Sequence, residues 1–368
     1  MCELVTIAMP VYNVSKYVER SILSALNQTY PNIEVLVVDD KGTDNSIELV
    51  KRILKQHPRG NCVRIIDHVI NRGTGATKNS AIDSALGAYL FFMDSDDMID
   101  DDAISQLYRI MKEGDYEVVC GSHVNYDADN NVKKVFRFFP YKGKKSLSKF
   151  VYEDTMAWPI YTWNKLYAID FLRNNVIRCV PHHLCEDVFF TFQIISQSTR
   201  FAFCRKVTYY YMENSSSLMA NGFNVKLIDM MVEAIHYEEE YLKKTSVTDL
   251  NCSVIAIIVN YLALLGKVAR STRISAVEQI KYIDLLRNKL ILFLNDNKCS
   301  YSFLFYDYML GRKVLSIEDA DKLYKIIRIK RSKNVKSFSW YLLKLLDRFC
   351  EKLHISSGVF KMYLRIIQ

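Results

Sequence analysis

The sequence predicts an α/β fold: a mostly parallel, doubly wound central sheet with helices on both faces, followed by an α-helical C-terminal region. Three observations carry that expectation. From Leu4 to Asp97, short apolar runs alternate with amphipathic stretches at βα spacing. The apolar runs end in polar, aromatic or acidic residues, as strands do where they reach a sheet edge. Beyond Phe223 the chain breakers thin out: all six prolines lie at or before Pro181, and only Gly266, Gly311 and Gly358 follow. Apolar positions there recur at helical spacing.

Leu4 to Met9 reads as a short buried strand that stops at Pro10, and Val11-Tyr12-Asn13 leads into an amphipathic helix over residues 15–28. Tyr30-Pro31-Asn32 makes a turn, and Ile33 to Val38 is a second apolar strand ending in Asp39-Asp40. Gly42 to Ser46 supplies turn and N-cap chemistry for a helix reaching Gln56. Cys62 to His68 is a third strand, followed by Asn71-Arg72-Gly73-Thr74-Gly75 and a helix that Gly87 ends. The next strand, Tyr89 to Met93, runs into Asp94-Ser95-Asp96-Asp97.

In open α/β sheets ligands lie outside the carboxyl ends of the strands. Tyr12, Asp40, Arg72 and Asp94 to Asp97 all fall at such ends. Clustered carboxylates at the end of a buried strand are a poor arrangement unless something positive binds there. Mg²⁺ or Mn²⁺ carrying a substrate diphosphate would supply that charge, since such a cation takes one or two carboxylates plus phosphate oxygens. A solvated acidic turn that caps a helix near Asp100 to Asp102 is the competing reading.

The motifs resemble the family 2 glycosyltransferases, whose catalytic domain has the GT-A fold, across residues 3–220. The matching pieces are Pro10-Val11-Tyr12-Asn13, Gln28 to Glu34, Val38-Asp39-Asp40 with Gly42-Thr43-Asp44, Lys78-Asn79, Asp94 to Asp97, Trp163 to Tyr167, and Glu186 to Phe190. The resemblance implies an inverting transfer of a sugar from a nucleotide diphosphate donor, a UDP-sugar first of all. The implied acceptor is a saccharide or lipid-linked saccharide of the kind used in surface polysaccharide synthesis. On matching positions it implies a nucleoside pocket from Pro10, Tyr12 and Asp40, and Asp94 near the ribose and metal. Asp96 would be the ligand to Mg²⁺ or Mn²⁺, and Asp187 the general base. Arg72 and Lys78 would add positive charge on the donor side, and Trp163, Lys165 and Glu186 would shape the acceptor side. Lys78 stands where the family usually has arginine, keeping the charge without the bidentate fork. No basic residue or histidine stands between Tyr209 and Ser217, where relatives often carry one for the diphosphate. His182 and His183 are the nearest substitutes.

At 368 residues the chain accommodates a GT-A domain over 1–222 and a helical region over 223–368. Nine cysteines without C-x-x-C spacing suit a reducing, cytoplasmic setting, and no N-terminal signal pattern is evident. Val254 to Gly266 is the longest apolar run and reads as a buried core helix. The net charge of +8 arises in the tail, where residues 322–368 hold 12 Lys and Arg against 2 Asp and Glu. Phe338, Leu342, Leu345, Leu346, Phe349 and Leu353 form a stripe there, flanked by Lys336, Lys344, Arg348 and Lys352. Such a helix suits an anionic membrane surface, hence a peripheral position on the inner face of the cell membrane, and equally suits packing on neighbouring helices. Nucleic acid is not an expected partner, because the tail shows no nucleic-acid fold signature and residues 1–321 carry no excess positive charge. A nucleotidyltransferase would need a glycine-rich basic loop after the first strand, which Met9 to Asn13 is not. A non-catalytic scaffold is disfavoured by the joint presence of Asp40, Asp96 and Asp187.

Overall fold

The computed structural model describes residues 2–143, 145–152, 158–181, 185–214 and 222–297. It divides into two compact units: residues up to 148 with 158–253 form the first, and residues 149–152 and 254–297 belong to the second.

The first unit opens with strict alternation: β1 (Val5–Val11), α1 (Val18–Leu26), β2 (Ile33–Asp39), α2 (Ser46–Gln56), β3 (Val63–Asp67), α3 (Gly73–Ser84) and β4 (Tyr89–Phe92). These strands lie parallel in the order β3-β2-β1-β4. Side chains alternate between faces. Ile7, Met9, Val35, Val37 and Phe91 share one buried cluster with Val18, Ile22 and Leu26 of α1 and Val50 and Ile53 of α2. Ala8, Leu36, Leu90 and Phe92 are buried as well, on the alternate positions, and α3 packs on β1 and β2. Helices on both faces explain why these strands read as near-continuous apolar runs.

The remaining elements are β5 (Met98–Ile99), α4 (Ala103–Gly114), β6 (Val118–Tyr126), β7 (Val132–Phe136), β8 (Tyr141–Gly143), α5 (Leu147–Tyr152), β9 (Lys165–Ala168), α6 (Ile169–Asn174), α7 (Glu186–Gln197), β10 (Phe201–Met212), α8 (Val225–Lys244), α9 (Leu250–Arg270) and α10 (Ala276–Asp296). The sheet continues β4-β9-β6-β10-β5, with β7 on β6 and β8 on β10. Here only β6 and β10 pair parallel; β9 is antiparallel to both β4 and β6, and β5, β7 and β8 are antiparallel to their partners. The parallel reading thus describes the first four strands. The second half is mixed, because antiparallel neighbours need no crossover helix between them.

Helix α8 belongs to the first unit. It packs on α7 through Phe189, whose ring lies 5.8 Å from Tyr237 and 5.9 Å from Tyr241, so this unit extends past residue 222 to Ser253. In the second unit α9 meets α10 through Tyr261 and Phe293, 6.5 Å between ring centres. By length and composition alone α9 could cross a membrane, yet 67% of its most apolar stretch is buried. The basic amphipathic tail of residues 322–368 lies outside the described residues.

Candidate functional site

The acidic segment after β4 is held from two sides. From α1, Ser21 Oγ donates to the Asp97 carbonyl at 2.6 Å and Arg20 Nη2 to the Asp96 carbonyl at 2.8 Å, and from the turn after α1 Gln28 Nε2 donates to the Asp100 carbonyl at 2.7 Å. From β10, the Tyr209 hydroxyl donates to Asp97 Oδ2 at 2.7 Å and accepts the Asp94 N–H at 3.1 Å. Met212 N–H donates to Asp97 Oδ1 at 2.8 Å. Asp97 is therefore the clamp of this loop, and Asp94 and Asp96 are the carboxylates it presents.

Neither has a cation within ion-pair distance among the described residues. Asp96 accepts from Asn214 Nδ2 at 3.3 Å, and Asn214 Oδ1 in turn accepts from the Tyr17 hydroxyl at 3.0 Å. Burial raises the Asp96 carboxyl, with Asn214 and Arg20 opposing. Burial pushes Asp94 up to about 6, against the attraction of Lys78 and with the repulsion of Asp96 and Glu186. Two desolvated carboxylates from one loop, offering hard oxygen ligands and short of positive charge, fit a divalent cation that draws its other ligands from phosphate and water. Among the described residues no cluster of three His, Cys, Asp or Glu side chains could cage a metal alone. His182 and His183 lie outside the described residues.

Across from this loop stands the N-terminus of α7, whose first residues are Glu186 and Asp187. Helix N-termini favour carboxylates. Lys78, buried in the middle of α3, places its Nζ 3.0 Å from Glu186 Oε1. Burial alone would lower its pKa, but Glu186, Asp94 and Asp187 together raise it. Lys78 therefore links the loop after β4 to the start of α7. Asp187 is raised to about 6 by burial and by Glu186, opposed by Lys78, Lys165 and the Val188 N–H. The sequence places Lys78 on the donor side; in the structure its ammonium is paired with Glu186. Gly75 permits this packing, since a Cβ there would meet the Val180 carbonyl oxygen at 2.1 Å and Glu186 Cβ at 3.3 Å.

At the ends of β1 and β2, Tyr12 is an exposed ring (48%) beside Pro10. Asp40 is buried, and both its oxygens are engaged. Oδ1 accepts from the Arg72 N–H and His68 Nδ1, each at 2.8 Å. Oδ2 accepts from the Gly73 N–H at 2.8 Å and Asn71 Nδ2 at 3.0 Å. Four donors fill the four acceptor positions of a carboxylate. Asp40 thus fastens the start of α3, and a nucleobase would have to share or displace one of these donors. The Arg72 guanidinium is exposed, without an ion pair among the described residues. Asn13, at φ 52°, accepts the Thr43 N–H at 2.7 Å and the Asp44 N–H at 3.3 Å, tying the loop after β1 to the loop after β2.

On the far side of the site the rings stack. Trp163 lies 3.6 Å from Tyr161, 4.5 Å from Tyr209 and 5.7 Å from Tyr211. Asn164 clasps two strands: its Nδ2 donates to the Gly121 carbonyl at 2.7 Å and its Oδ1 accepts from Thr208 Oγ1 at 2.7 Å. Lys165 is buried, donates to the Tyr161 carbonyl, and sits 4.2 Å from the Tyr161 ring. Burial lowers it to about 8, with Asp187 and Cys120 pulling upward.

Sequence reasoning missed Arg20, His68, Asn71, Asp97's clamp role, Tyr209 and Asn214. Arg20 and Tyr209 look like ordinary helix and strand residues until the fold brings them to the loop after β4. The adjacency of Asp97 to Asp96 was the one available signal.

The family model described as "Glycosyl transferase family 2" matches residues 6–171. Glycosyltransferase GlyG of Streptococcus pneumoniae is 39% identical over 132 residues, covering 36% of this chain and 43% of that protein. The poly(ribitol-phosphate) beta-glucosyltransferase of Bacillus spizizenii is 30% identical over 213 residues, covering 56% of this chain and 32% of that protein. The chain thus spans less than half the length of either. S. aureus TarS 1–349, solved in complex with UDP-GlcNAc, superposes with a TM-score of 0.65 at 18% identity, covering 88% of this chain and 90% of that one. That likeness establishes the GT-A architecture. Residues 6–171 of the chain thus match glycosyl transferase family 2.

Proposed function

We propose that the chain is an inverting glycosyltransferase that moves a sugar from a UDP-sugar to a saccharide or lipid-linked saccharide acceptor in surface polysaccharide synthesis. The observation that carries it is the buried Lys78 ammonium, 3.0 Å from Glu186 Oε1 and within electrostatic reach of Asp94 and Asp187, which brings the two acidic motifs together. A lone acidic turn, solvated and capping a helix, would need no such charge between it and a second acidic helix end. The polysaccharide setting is supported by the Bacillus spizizenii relative, a poly(ribitol-phosphate) beta-glucosyltransferase. The UDP reading is supported by the fold shared with TarS, a protein solved with UDP-GlcNAc.

In this reading the Tyr12 ring and the β1–β2 loops hold the nucleoside, and Arg72 meets the diphosphate. Asp94 and Asp96 would hold Mg²⁺ or Mn²⁺, which supplies charge stabilisation for the leaving diphosphate. Asp187, ionised above its raised pKa, takes the proton from the acceptor hydroxyl as that oxygen attacks the anomeric carbon. A carboxylate with pKa near 6 is a stronger base than an ordinary aspartate and remains ionised at neutral pH. The carbon–oxygen bond to the diphosphate breaks on the opposite face, and one displacement inverts the configuration.

A thermal-shift panel of UDP, GDP, dTDP and CDP, each with and without Mn²⁺, tests the donor site on the wild type and Asp96→Asn. Binding to the native state alone raises Tm. A metal-dependent rise with UDP that is lost in the variant is expected; no rise with any of the four nucleotides would sink the reading.

A further inference from the structure

The end of β10 brings an amide to the carboxylate of Asp96. Met212 N–H donates to Asp97 Oδ1 at 2.8 Å and Glu213 N–H to the Tyr126 carbonyl at 3.0 Å, so Asn214 follows a backbone that is tied down. Its Nδ2 donates to Asp96 Oδ2 at 3.3 Å, while its Oδ1 accepts from the Tyr17 hydroxyl at 3.0 Å. Tyr17, the residue before α1, is held in turn. The Arg20 guanidinium lies 5.1 Å from its ring centre and donates through Nη2 to the Asp96 carbonyl at 2.8 Å.

The amide can be turned at little cost. At 3.3 Å its bond to Asp96 lies beyond the usual N–H···O range of about 2.7–3.2 Å, so releasing it loses little. A carboxamide has donors on one side and a carbonyl acceptor on the other, and a tyrosine hydroxyl both donates and accepts. Half a turn about Cβ–Cγ therefore keeps a bond to Tyr17, with Nδ2 now donating to the hydroxyl, and directs Oδ1 towards Asp96. Two oxygens brought together in this way repel unless a cation lies between them. Carboxylate and carbonyl oxygens are the ligands that suit Mg²⁺ and Mn²⁺. Among the described residues no three His, Cys, Asp or Glu side chains could hold a metal, and an amide oxygen is a hard ligand outside that set.

The geometry points to Asn214 as a third protein ligand of the divalent cation, its amide turning from donor to Asp96 into oxygen ligand beside Asp94 and Asp96. The inference rests on the glycosyl-transfer reading and deepens its metal site. An asparagine that only satisfied Asp96 would compete with the cation for the same oxygen. The two roles therefore predict opposite signs: removing a ligand weakens metal binding, and removing a competitor tightens it.

Calorimetric titration of Mn²⁺ into the intact protein at saturating UDP reads that sign. Asn214→Ala should bind Mn²⁺ at least about tenfold more weakly, since removing even an outer-shell partner of a metal costs that much. Tighter or unchanged binding would overturn the assignment. Asn214→Cys adds a readout that does not depend on the alanine variant, because a thiolate selects soft ions. With Cd²⁺ and UDP it should show an ultraviolet sulfur-to-cadmium charge-transfer band that the wild type lacks. A spectrum identical to that of the wild type would place residue 214 away from the cation and overturn the assignment as well. The wild-type titration separates the two levels. Mn²⁺ binding there with no loss in Asn214→Ala sinks this inference alone, and no binding of Mn²⁺ or UDP by the wild type sinks the function with it.

Discussion

Lys78 Nζ lies 3.0 Å from Glu186 Oε1, both buried, and the charges of Asp94 and Asp187 act on the same ammonium. One ammonium thereby offsets three carboxylates drawn from two distant parts of the chain. Removing it leaves Glu186 buried and unpaired, which costs about 3–5 kcal/mol. Lys78→Gln should lower the unfolding free energy by that order in denaturant titration. It should also push Asp94 and Asp187 further up, because both are held down by Lys78. The acid limb of the transfer rate then moves to higher pH. Lys78→Arg, which restores the charge, should recover most of the stability and return the limb. A limb that stays in place in Lys78→Gln would show that the pair is structural only.

Tyr209 is the second support. Its hydroxyl bridges Asp97 Oδ2 and the Asp94 N–H, so Tyr209→Phe leaves a buried carboxylate oxygen and a backbone donor without partners. The cost is about 1–3 kcal/mol. Because the same loop carries Asp94 and Asp96, the metal-dependent affinity for UDP should fall alongside stability, as measured by calorimetry at fixed Mn²⁺. Unchanged affinity with lowered stability would confine Tyr209 to folding.

What the sequence could and could not reveal follows from how far each feature depends on long-range packing. The first four strands were legible because helices cover both faces, which makes β1, β2 and β4 mostly apolar. The acidic ends of β2 and β4 stood out because charge abutting a buried strand is anomalous. The mixed second half of the sheet was not legible. Nothing local tells β9 to run antiparallel to β4 or lays the short β5 against β10. Several motif residues also proved to be fasteners, a role that residue type cannot announce. Glu34 accepts from Thr6 Oγ1 at 2.6 Å and from Arg64 Nε at 2.9 Å. Gln28 bonds both the Asp100 carbonyl and the Ile104 N–H. Asp40 is the clearest case, a strand-end carboxylate whose four hydrogen bonds all return to its own chain.

Asp187→Asn separates binding from chemistry. The amide is nearly isosteric and cannot take the acceptor proton, so UDP-sugar affinity should stay within a few-fold while transfer falls by about 10²–10⁴. Single-turnover assays with labelled donor check both quantities on one sample. Transfer at the wild-type rate would remove Asp187 as the base.

The pH dependence joins these groups. As the proposed base, Asp187 would act only when ionised, so the transfer rate should fall as pH drops through about 6. Stability moves the other way. Asp94 and Asp187 are both raised from 3.8 to about 6, so between those values the folded protein binds more protons than the unfolded chain. Their contribution favours folding at low pH and is lost as pH rises through that window. A cation held by Asp94 and Asp96 would compete with the Asp94 proton and supply the missing positive charge. The rise in Tm on adding Mn²⁺ with UDP should therefore be small near pH 5 and grow towards about pH 7. Differential scanning calorimetry across that range, with and without the metal, reads it directly. In Asp96→Asn the growth should flatten. A Tm gain that is independent of pH in the wild type would mean that the metal does not engage the raised carboxylates.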